Sequence, residues 1–530
     1  MKKTSFLCYN IFCIGHALRA PVFWFQRFAV QEGDTKMRTI GFDSQEYIRL
    51  QSERIRERIE QFGGKLYLEF GGKLFDDYHA SRVLPGFEPD NKIKMLMELK
   101  DQAEIVIAIN ANDIEKNKRR GDLGITYDTE VIRLIDVFRE CGLYVGSIAL
   151  TQYAEQPSAE VFEKRMKALG IKVYRLHRIP NYPYDVKLIV SDDGYGKSDY
   201  IETTRSLVVV TGPGGGSGKM ATCLSQLYHE HKRGIKAGYA KFETFPIWNL
   251  PLKHPVNLAY EAATADLNDV NMIDPFHLEA YGETTVNYNR DVESFPLLRA
   301  IFEKIYGECP YKSPTDMGVN MVGLSITDDE ACREASKQEI IRRYYRTSCL
   351  VKQGLSGEEE LHKIEVLMRT LNIETDARAV VPAALKRAEL TGSPAAAIEL
   401  PDGTVVTGRT SDLLGASSAV LLNAIKVLAG IPHHINLISP DVIRPIQTLK
   451  TDYMQSRNPR LHTDEMLVAL AISAATDGNA MKAMQTLDVL NGCDVHSTVI
   501  LSNVDDNVFK RLNMNITCEP AYENNNLYHK

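Results

Sequence analysis

The chain lacks the cysteine spacings of a zinc ribbon or a disulfide framework. Nine cysteines are scattered over its 530 residues, and none of them forms a C-x-x-C pair. An odd number of scattered thiols is typical of a reducing compartment, so we expect the protein in the cytoplasm. The chain also lacks a basic block, and its net charge of −7 argues against nucleic acid or a membrane surface as a partner. Small solutes or protein partners are favoured instead.

Two peptidase motifs are missing as well. Neither G-x-S-x-G nor H-E-x-x-H occurs anywhere in the sequence. The first motif exposes a serine nucleophile at a strand-to-helix turn, and the second places two zinc-binding histidines on one helix face. A peptidase function is therefore disfavoured.

The N-terminal segment lacks an apolar run long enough to cross a membrane. Residues 1–20 have the outline of a signal peptide, but Asn10 and His16 interrupt the apolar stretch. From Met37 onward the sequence changes to a strand-like start followed by an amphipathic helix. We therefore expect residues 1–36 to be a non-structural upstream extension, with Met37 as a candidate initiator.

Short apolar runs alternate with helical patterns from Met37 to about residue 245. The chain is longer than one hydrophobic core usually supports, so several globular units are expected. The alternation predicts a mostly parallel sheet covered on both faces by helices, within an α/β domain at 37–324. The five predicted strands are residues 65–70, 104–111, 144–151, 172–177 and 206–212.

A glycine-rich stretch, GPGGGSGK, follows the fifth predicted strand. Glycines let backbone N–H groups surround a phosphate, the next helix directs its positive end at the anion, and a lysine adds charge. The stretch departs from G-x-x-x-x-G-K-[ST] at Pro213 and Met220, which disfavours ATP hydrolysis by the standard mechanism. The alternative is a strand-to-helix turn with a solvated lysine. The predicted P-loop-like phosphate or nucleotide site consists of Gly212, Gly214, Gly215, Gly216, Ser217, Gly218 and Lys219.

Four stretches of the sequence resemble a known bacterial family, uncharacterised protein family 0371, also called domain of unknown function 1846. They are RTIGFDSQEYIRLQSERI, VVVTGPGGGSGKMATCLSQLYHEHKRG, YKSPTDMGVNMVG and LPDGTVVTGRTSDLLGASSA. The resemblance covers nearly everything from Met37 to the C-terminus. It implies an organisation and not a reaction: an α/β protein with a helical middle and a C-terminal part of cytidine-deaminase-like topology.

The segment at 237–293 has weak periodicity and predicts an irregular insertion, which is often functional. Its polar residues are the pool from which we expect substrate contacts, although a cap or a solvated loop position is the ordinary role of each one. They are Lys241, Glu243, Thr244, His254, Asp266, Asp274, His277, Glu279, Asn289 and Arg290.

A helical region is predicted at 325–391. One of its helices carries Arg342, Arg343 and Arg346, which either clamp an anion or form a salt-bridged face. A second helix is predicted to begin with a capping box formed by Ser356 and Glu359.

Residues 392–530 form the predicted C-terminal α/β domain. The order of hairpin, helix, strand at 433–440, helix and strand at 496–502 resembles the deaminase fold, but H-x-E and P-C-x-x-C are absent, so no zinc is expected. Cys493 and His496 are expected to pack in the core. GRTSDL is a second anion candidate, with Arg409 as the charge and Thr410 or Ser411 capping the next helix; the alternative is a hairpin that leads into a capped helix.

Two functions remain open at this stage. The first is an enzyme that acts on a phosphorylated or nucleotide-like small molecule, and the second is a non-catalytic nucleotide-binding sensor or scaffold. Neither nucleic acid nor a membrane is expected as a partner, and a homo-oligomer is one alternative for the assembly.

Overall fold

The computed structural model describes residues 40–72, 74–75, 77–120 and 124–523. The predicted extension at 1–36 lies outside these residues. In chain order, the strands are β1 (Leu66–Phe70), β2 (Ala103–Asn110), β3 (Tyr144–Tyr153), β4 (Lys172–His177), β5 (Leu207–Thr211), β6 (Gly238–Phe242), β7 (Asn271–Ile273), β8 (Val286–Tyr288), β9 (Gly318–Val319), β10 (Ala395–Glu399), β11 (Val405–Arg409), β12 (Asp494–Ser497) and β13 (Asn515–Cys518).

The α-helices connect and cover these strands. In chain order they are α1 (Ser44–Gln61), α2 (Tyr78–Val83), α3 (Asn91–Glu98), α4 (Ala111–Glu115), α5 (Tyr127–Glu140), α6 (Pro157–Ala168), α7 (Val186–Ile189), α8 (Lys219–Lys232), α9 (Pro255–Ala263), α10 (Pro275–Tyr281), α11 (Asn289–Tyr306), α12 (Pro314–Met317), α13 (Asp329–Lys352), α14 (Glu358–Leu371), α15 (Val380–Thr391), α16 (Ala416–Leu428), α17 (Pro440–Thr448), α18 (Thr463–Ala474), α19 (Gly478–Met484) and α20 (Asn503–Arg511). Within the described ranges, no helix is both long and apolar enough to cross a membrane.

The larger sheet is parallel, with the strand order β4-β3-β2-β5-β1-β6-β9. Alternate residues of its strands face two different cores, because successive side chains of a strand point to opposite faces. Leu66 and Leu68 pack in the core that contains residues of α1 and α5, whereas Tyr67 packs in the core that contains residues of α8 and α11. The five strands predicted for this sheet are confirmed.

The chain changes direction between β2 and β5, which are neighbours in this sheet. From β2 it proceeds through α5 to β3, and α5 packs on the first core through Val131, Leu134 and Phe138. From β5 it proceeds through α8 to β6, and α8 packs on the second core through Cys223 and Leu224. The segments after β2 and β5 therefore leave toward opposite faces. This topology opens a crevice at the carboxyl ends of the two strands.

The segment at 237–293 is not the irregular insertion that its weak periodicity predicted. It contains β6, a strand of the larger sheet, followed by α9, β7, α10, β8 and the start of α11. β6 was missed because GYAKF carries a charged residue, Lys241, inside a buried strand. Lys241 forms ion pairs with Glu243 and Asp291, which compensate its charge.

A four-stranded sheet with the order β11-β10-β12-β13 forms the C-terminal part. The predicted hairpin is confirmed as β10 and β11, which pair antiparallel. The predicted strand at 433–440 is wrong, because these residues form turns that lead into α17. The helix predicted between the strands at 433–440 and 496–502 divides into α18 and α19, since Asp477 caps α19 by accepting from Asn479 N.

The predicted capping box at α14 is also wrong. Gly357 is the N-cap of this helix, and it forms no side-chain capping bond. Ser356 instead donates from Oγ to a carboxylate oxygen of Glu360 at 2.6 Å. The helix begins one residue later than the sequence motif suggested, so the two box residues do not occupy the N-cap and N3 positions.

Candidate functional site

The crevice between β2 and β5 has a volume of about 410 Å³. Three of the predicted glycine-loop residues line it, namely Gly216, Gly218 and Lys219. Gly212, Gly214, Gly215 and Ser217 are not among its lining residues. The other lining residues are Glu69 at the end of β1, Asn110 and Asn112 after β2, Gln152 of β3, Tyr182, Met220 and Ala221.

Two loop glycines adopt the left-handed backbone conformation that favours glycine. Gly216 has φ +76° and Gly218 has φ +88°. A Cβ atom at Gly218 would also lie 2.7 Å from Oγ1 of Thr151, so both backbone conformation and space require glycine there. A Cβ atom at Gly215 would meet no atom within 4 Å, and its φ is not in the left-handed region.

Neighbouring strand ends hold two carbonyl groups of the loop. Thr151 donates from Oγ1 to the carbonyl of Ser217 at 2.7 Å, and Asn110 donates from Nδ2 to the carbonyl of Gly216 at 3.2 Å. The backbone N–H groups of residues 214–218 donate no hydrogen bond to any other residue of the described ranges. The loop therefore uses its acceptors within the protein and leaves its donors without a partner in that part of the chain.

Ser217 is fully buried, and its hydroxyl has no hydrogen-bond partner among the residues described. A Cβ atom at Gly212 would lie 2.5 Å from this hydroxyl oxygen, so the Ser217 side chain points toward the base of the loop. Thr222 does not replace the hydroxyl that is missing at Met220. It is buried and donates from Oγ1 to the carbonyl of Gly218 at 2.9 Å.

Lys219 is the first residue of α8, and its side chain is half-buried. Its Nζ lies 3.4 Å from the carbonyl oxygen of Gly214. Burial lowers the pKa of Lys219, and the nearby carboxylate of Glu69 acts in the opposite direction. Lys219 is thus directed across the loop beside Glu69, which differs from the solvated lysine of the turn alternative.

A buried charged cluster lies at the carboxyl end of β6. Nζ of Lys241 contacts Glu243 at 2.8 Å and Asp291 at 2.5 Å. Burial raises the pKa of Glu243 to about 7; the charge of Asp291 also raises it, while Lys241 opposes the shift. The second carboxylate oxygen of Glu243 has no hydrogen-bond partner in the described ranges. Sequence reasoning named Lys241 and Glu243 as candidates but missed Asp291.

Several other residues of the predicted contact pool have structural roles. Asp274 caps α10 by accepting from the backbone N–H groups of Phe276 and His277, both at 3.0 Å. His254 is buried and pairs through Nε2 with Asp329 at 2.9 Å. These side chains hold the helices that follow β6 and are not crevice residues.

Sequence reasoning missed the polar residues at the ends of β1, β2 and β3. Glu69, Asn110 and Gln152 each lie at or next to the end of a predicted strand. Ligands in parallel sheets bind at the carboxyl ends of strands, so the positions of these residues could have identified them as site candidates from the sequence. Gln152 also has φ +54°, an uncommon backbone conformation for a residue other than glycine.

The second anion candidate set, Arg409, Thr410 and Ser411, lines a separate cavity of about 450 Å³ together with Arg460 and Glu523. The predicted capping of the next helix by Thr410 or Ser411 is wrong, since Gly415 is the N-cap of α16. Ser411 accepts at Oγ from the backbone N–H groups of Leu413 and Leu414, at 3.3 and 3.1 Å. It therefore closes a turn ahead of the helix.

Within the ranges described, no group of three or more His, Cys, Asp or Glu side chains is arranged to hold a metal ion. Cys493 and His496 are both buried. His496 contacts Thr517 Oγ1 at 3.0 Å and Glu519 Oε1 at 3.2 Å, and Sγ of Cys493 lies 3.8 Å from the carbonyl of Val489.

Comparison with known proteins places the chain among bacterial relatives. The family described as "Domain of unknown function DUF1846, N-terminal" matches residues 40–372, and its C-terminal counterpart matches residues 376–528. "UPF0371 protein" of Streptococcus thermophilus LMD-9 is 59% identical over 494 residues, which cover 93% of this chain and all of the relative. "UPF0371 protein" of Streptococcus pneumoniae Hungary19A-6 is 58% identical with the same coverage.

A relative from Streptococcus pyogenes serotype M28, "UPF0371 protein M28_Spy1076", is 59% identical over the same length. The family matches extend over most of the described residues, including both sheets and the glycine loop. The resemblance seen in the four sequence stretches is thereby confirmed. The chain belongs to the UPF0371 family, whose two parts are the DUF1846 N-terminal and C-terminal domains.

Proposed function

We propose that the protein binds a phosphorylated or nucleotide-like small molecule in the crevice between β2 and β5, with a phosphate group on the glycine loop. The observation that carries this proposal is the hydrogen-bond pattern of the loop. Its carbonyls at Gly216 and Ser217 bind strand ends, while the N–H groups of 214–218 donate to no described residue. Gly215 and Gly216 are exposed, so these N–H groups are accessible to water or to a ligand that would satisfy them.

The start of α8 adds to these donors. Its N-cap, Gly218, forms no side-chain capping bond, so no side chain satisfies the first N–H groups of this 14-residue helix. Helix N-termini attract anions through these N–H groups and through the helix dipole. Lys219 lies at the same place, and its ammonium group would exchange the carbonyl of Gly214 for a phosphate oxygen.

The crevice also contains a carboxylate, which limits the class of ligand. Glu69 accepts a hydrogen bond from the hydroxyl of Tyr239 at 2.6 Å and would repel a bare anion. A sugar hydroxyl would donate to such a carboxylate, as acidic residues do with the ribose of bound dinucleotides. The amide side chains of Asn110, Asn112 and Gln152 provide further polar contacts. A sugar phosphate or a nucleotide therefore fits better than inorganic phosphate.

An enzymatic role would use the cluster at the end of β6, in which Glu243 is buried and is not one of the residues that line the crevice. Glu243 has a pKa of about 7 because it is buried near Asp291, and this is the range in which a carboxyl group both accepts and donates a proton. Met220 favours the alternative of a non-catalytic sensor, since the position beside Lys219 has no hydroxyl to bind Mg²⁺. Conversion of a bound ligand would decide between the two.

The C-terminal sheet is proposed to have a cytidine-deaminase-like topology without deaminase chemistry. Its hairpin β10–β11 is followed by α16, and β12 and β13 pair in parallel beside it. The zinc-binding motifs are absent from the sequence, so this topology is proposed as a structural resemblance alone.

Calorimetric titration of the full chain with AMP, ATP, ribose 5-phosphate and inorganic phosphate would test the proposal. Lys219→Ala should weaken the bound ligand by about ten- to a hundredfold, because a charge-assisted hydrogen bond contributes about 1.5 to 3 kcal/mol. Lys164→Ala, at an exposed position of α6, is the matched control and should leave affinity unchanged. Equal affinity of wild type and folded Lys219→Ala would identify the loop as a turn only.

A further inference from the structure

A second cleft lies far along the chain from the glycine loop. It has a volume of about 670 Å³, which is within the range of small-molecule sites. Its walls come from α2 and the loop after it, from α13, and from the turns that precede β12 and β13. Helices α2 and α13 and the C-terminal sheet therefore contribute the walls of one cleft.

The two principal carboxylates on the wall of this cleft are already paired. Glu339 binds Arg342 at 2.5 Å and Arg343 at 2.8 Å. Asp494 binds the fully buried Arg378 at 3.0 Å. Of the two interpretations given to this arginine cluster from the sequence, the salt-bridged face thus holds for Arg342 and Arg343. Glu334, whose carboxylate lies 3.5 Å from Nζ of Lys337, also lines the cleft. The lining therefore holds as many carboxylates as arginines, and the arginines are Arg82, Arg342 and Arg378.

Of the three arginines that line the cleft, Arg82 has no carboxylate partner among the residues described. Its Nε donates to Oδ1 of Asn515 at 3.1 Å, and its two terminal nitrogens donate to no described residue. The side chain is half-buried in the cleft wall. Burial and the charge of Arg342 lower the pKa of Arg82 to about 10, which leaves it charged at neutral pH. A sheltered charge of this kind is normally paired.

The geometry of Arg82 indicates what would pair with it. The planar fork of a guanidinium matches the two oxygens of a carboxylate or a phosphate group. The ring of Tyr78 lies 5.9 Å from the Arg82 guanidinium and also lines the cleft. Amide side chains of Asn491, Asn513 and Asn515 complete the polar wall opposite α13.

We propose that this cleft is a second ligand site, for a small anion whose phosphate or carboxylate group binds the free fork of Arg82. The site is independent of the glycine loop, since no lining residue is shared between the two cavities. Arg82 is on α2, and Asn515 is on β13, the edge strand of the C-terminal sheet, so an anion bound at Arg82 would lie where the helix meets that sheet. Binding there would stabilise the contact between α2 and the end of the C-terminal sheet.

Calorimetric titration of the full chain with inorganic pyrophosphate and with citrate, at constant ionic strength, tests this site. We expect a binding event that persists in Lys219→Ala, in which the glycine loop has lost its charge, and that Arg82→Gln weakens at least tenfold. Arg165→Gln, an exposed arginine of α6, is the matched control. The probe that binds identifies phosphate or carboxylate as the recognised group. Equal affinities of wild type and Arg82→Gln for both probes, or no binding of either, would overturn the proposal.

A second measurement uses the wild-type chain and does not depend on the folding of a variant. Phenylglyoxal modifies accessible arginines, and peptide mass spectrometry then gives the extent of modification at each one. The probe that binds should protect Arg82 and leave Arg165 reactive. Equal modification of Arg82 with and without both probes would overturn the proposal. A lower Tm of Arg82→Gln with unchanged probe affinity would identify Arg82 as a structural donor to Asn515.

Discussion

The chain contains two loops of small polar residues that lead from a strand into a helix, and they use their backbone donors in opposite ways. Between β5 and α8, the N–H groups of 214–218 donate to no described residue. Between β11 and α16, Thr410 N donates to Pro394, Ser411 N donates to Leu414, and Gly415 N donates to Leu461. Most backbone donors of the second loop therefore have a partner within the protein. Similar composition therefore does not imply a similar capacity to bind anions.

The difference follows from backbone conformation. Gly216 and Gly218 have positive φ angles, which allow successive N–H groups to turn in one direction, whereas Gly415 has φ −68°. The hydroxyl of Ser411 then occupies the backbone donors of Leu413 and Leu414. Arg409 lies beside donors that are already used, and Lys219 lies beside donors that are not.

The largest expected effect concerns the conformation of the first loop. Gly218→Ala should lower the free energy of unfolding by about 2 to 4 kcal/mol, since it combines a strained φ with a close contact to Thr151. Gly215→Ala is the control and should cost less than about 1 kcal/mol, because its Cβ meets open space. Denaturant titration measures both values. Similar losses in the two variants would contradict the geometry of the loop.

A pH titration tests the buried carboxyl group at the end of β6. The folded-state pKa of Glu243 is raised from 4.5 to about 7, so its protonated form is favoured by folding. Its stabilising contribution is present below pH 4.5 and is lost as the pH rises through about 7. As the pH rises from 4.5 to about 7, the Tm of wild type should therefore fall relative to that of Glu243→Gln. A rise of wild type relative to the variant would show that Glu243 is mainly an ion-pair partner of Lys241.

The second loop should respond as a structural turn. Ser411→Ala removes the acceptor for Leu413 N and Leu414 N, and should destabilise the protein by about 1 kcal/mol, as the loss of a helix cap does. Affinity for the glycine-loop ligand should not change. Thermal unfolding and calorimetry on the same sample measure both quantities. A tenfold loss of affinity in this variant would mean that the contrast between the two loops is wrong.

The smallest expected effect comes from restoring the hydroxyl that the first loop lacks. Met220→Ser places a magnesium-binding side chain next to Lys219. Nucleotide affinity should then become a few-fold stronger with Mg²⁺ than without it, a difference of about 1 kcal/mol or less. Titrations with and without EDTA measure it, with Met220→Ala as the control. The same Mg²⁺ dependence in both variants would show that a hydroxyl at position 220 does not determine how Mg²⁺ affects nucleotide affinity.

Most of the strands that were predicted from the sequence share one property. β1, β2 and β5 are short, apolar and buried on both faces, so a local run of residues specifies each strand. β4, at the edge of the sheet, is only partly buried. The predicted strand at 433–440 failed because burial alone does not distinguish a strand from a packed turn. Leu437 and Ile438 are buried in the C-terminal core, but the backbone around them forms turns. The capping box failed because Gly357, and not Ser356, occupies the N-cap.

The sequence by itself determined the glycine loop, the lysine after it and their place between a strand and a helix, since all of these lie within a few residues of one another. The tertiary structure decided which residues face the loop. Glu69, Asn110 and Gln152 reach the same crevice only because β1, β2 and β3 are arranged around β5 in one parallel sheet. Arg82 meets Asn515 across 433 residues of chain. Contacts at that separation depend on how α2 packs against the C-terminal sheet, which no local pattern of residues encodes.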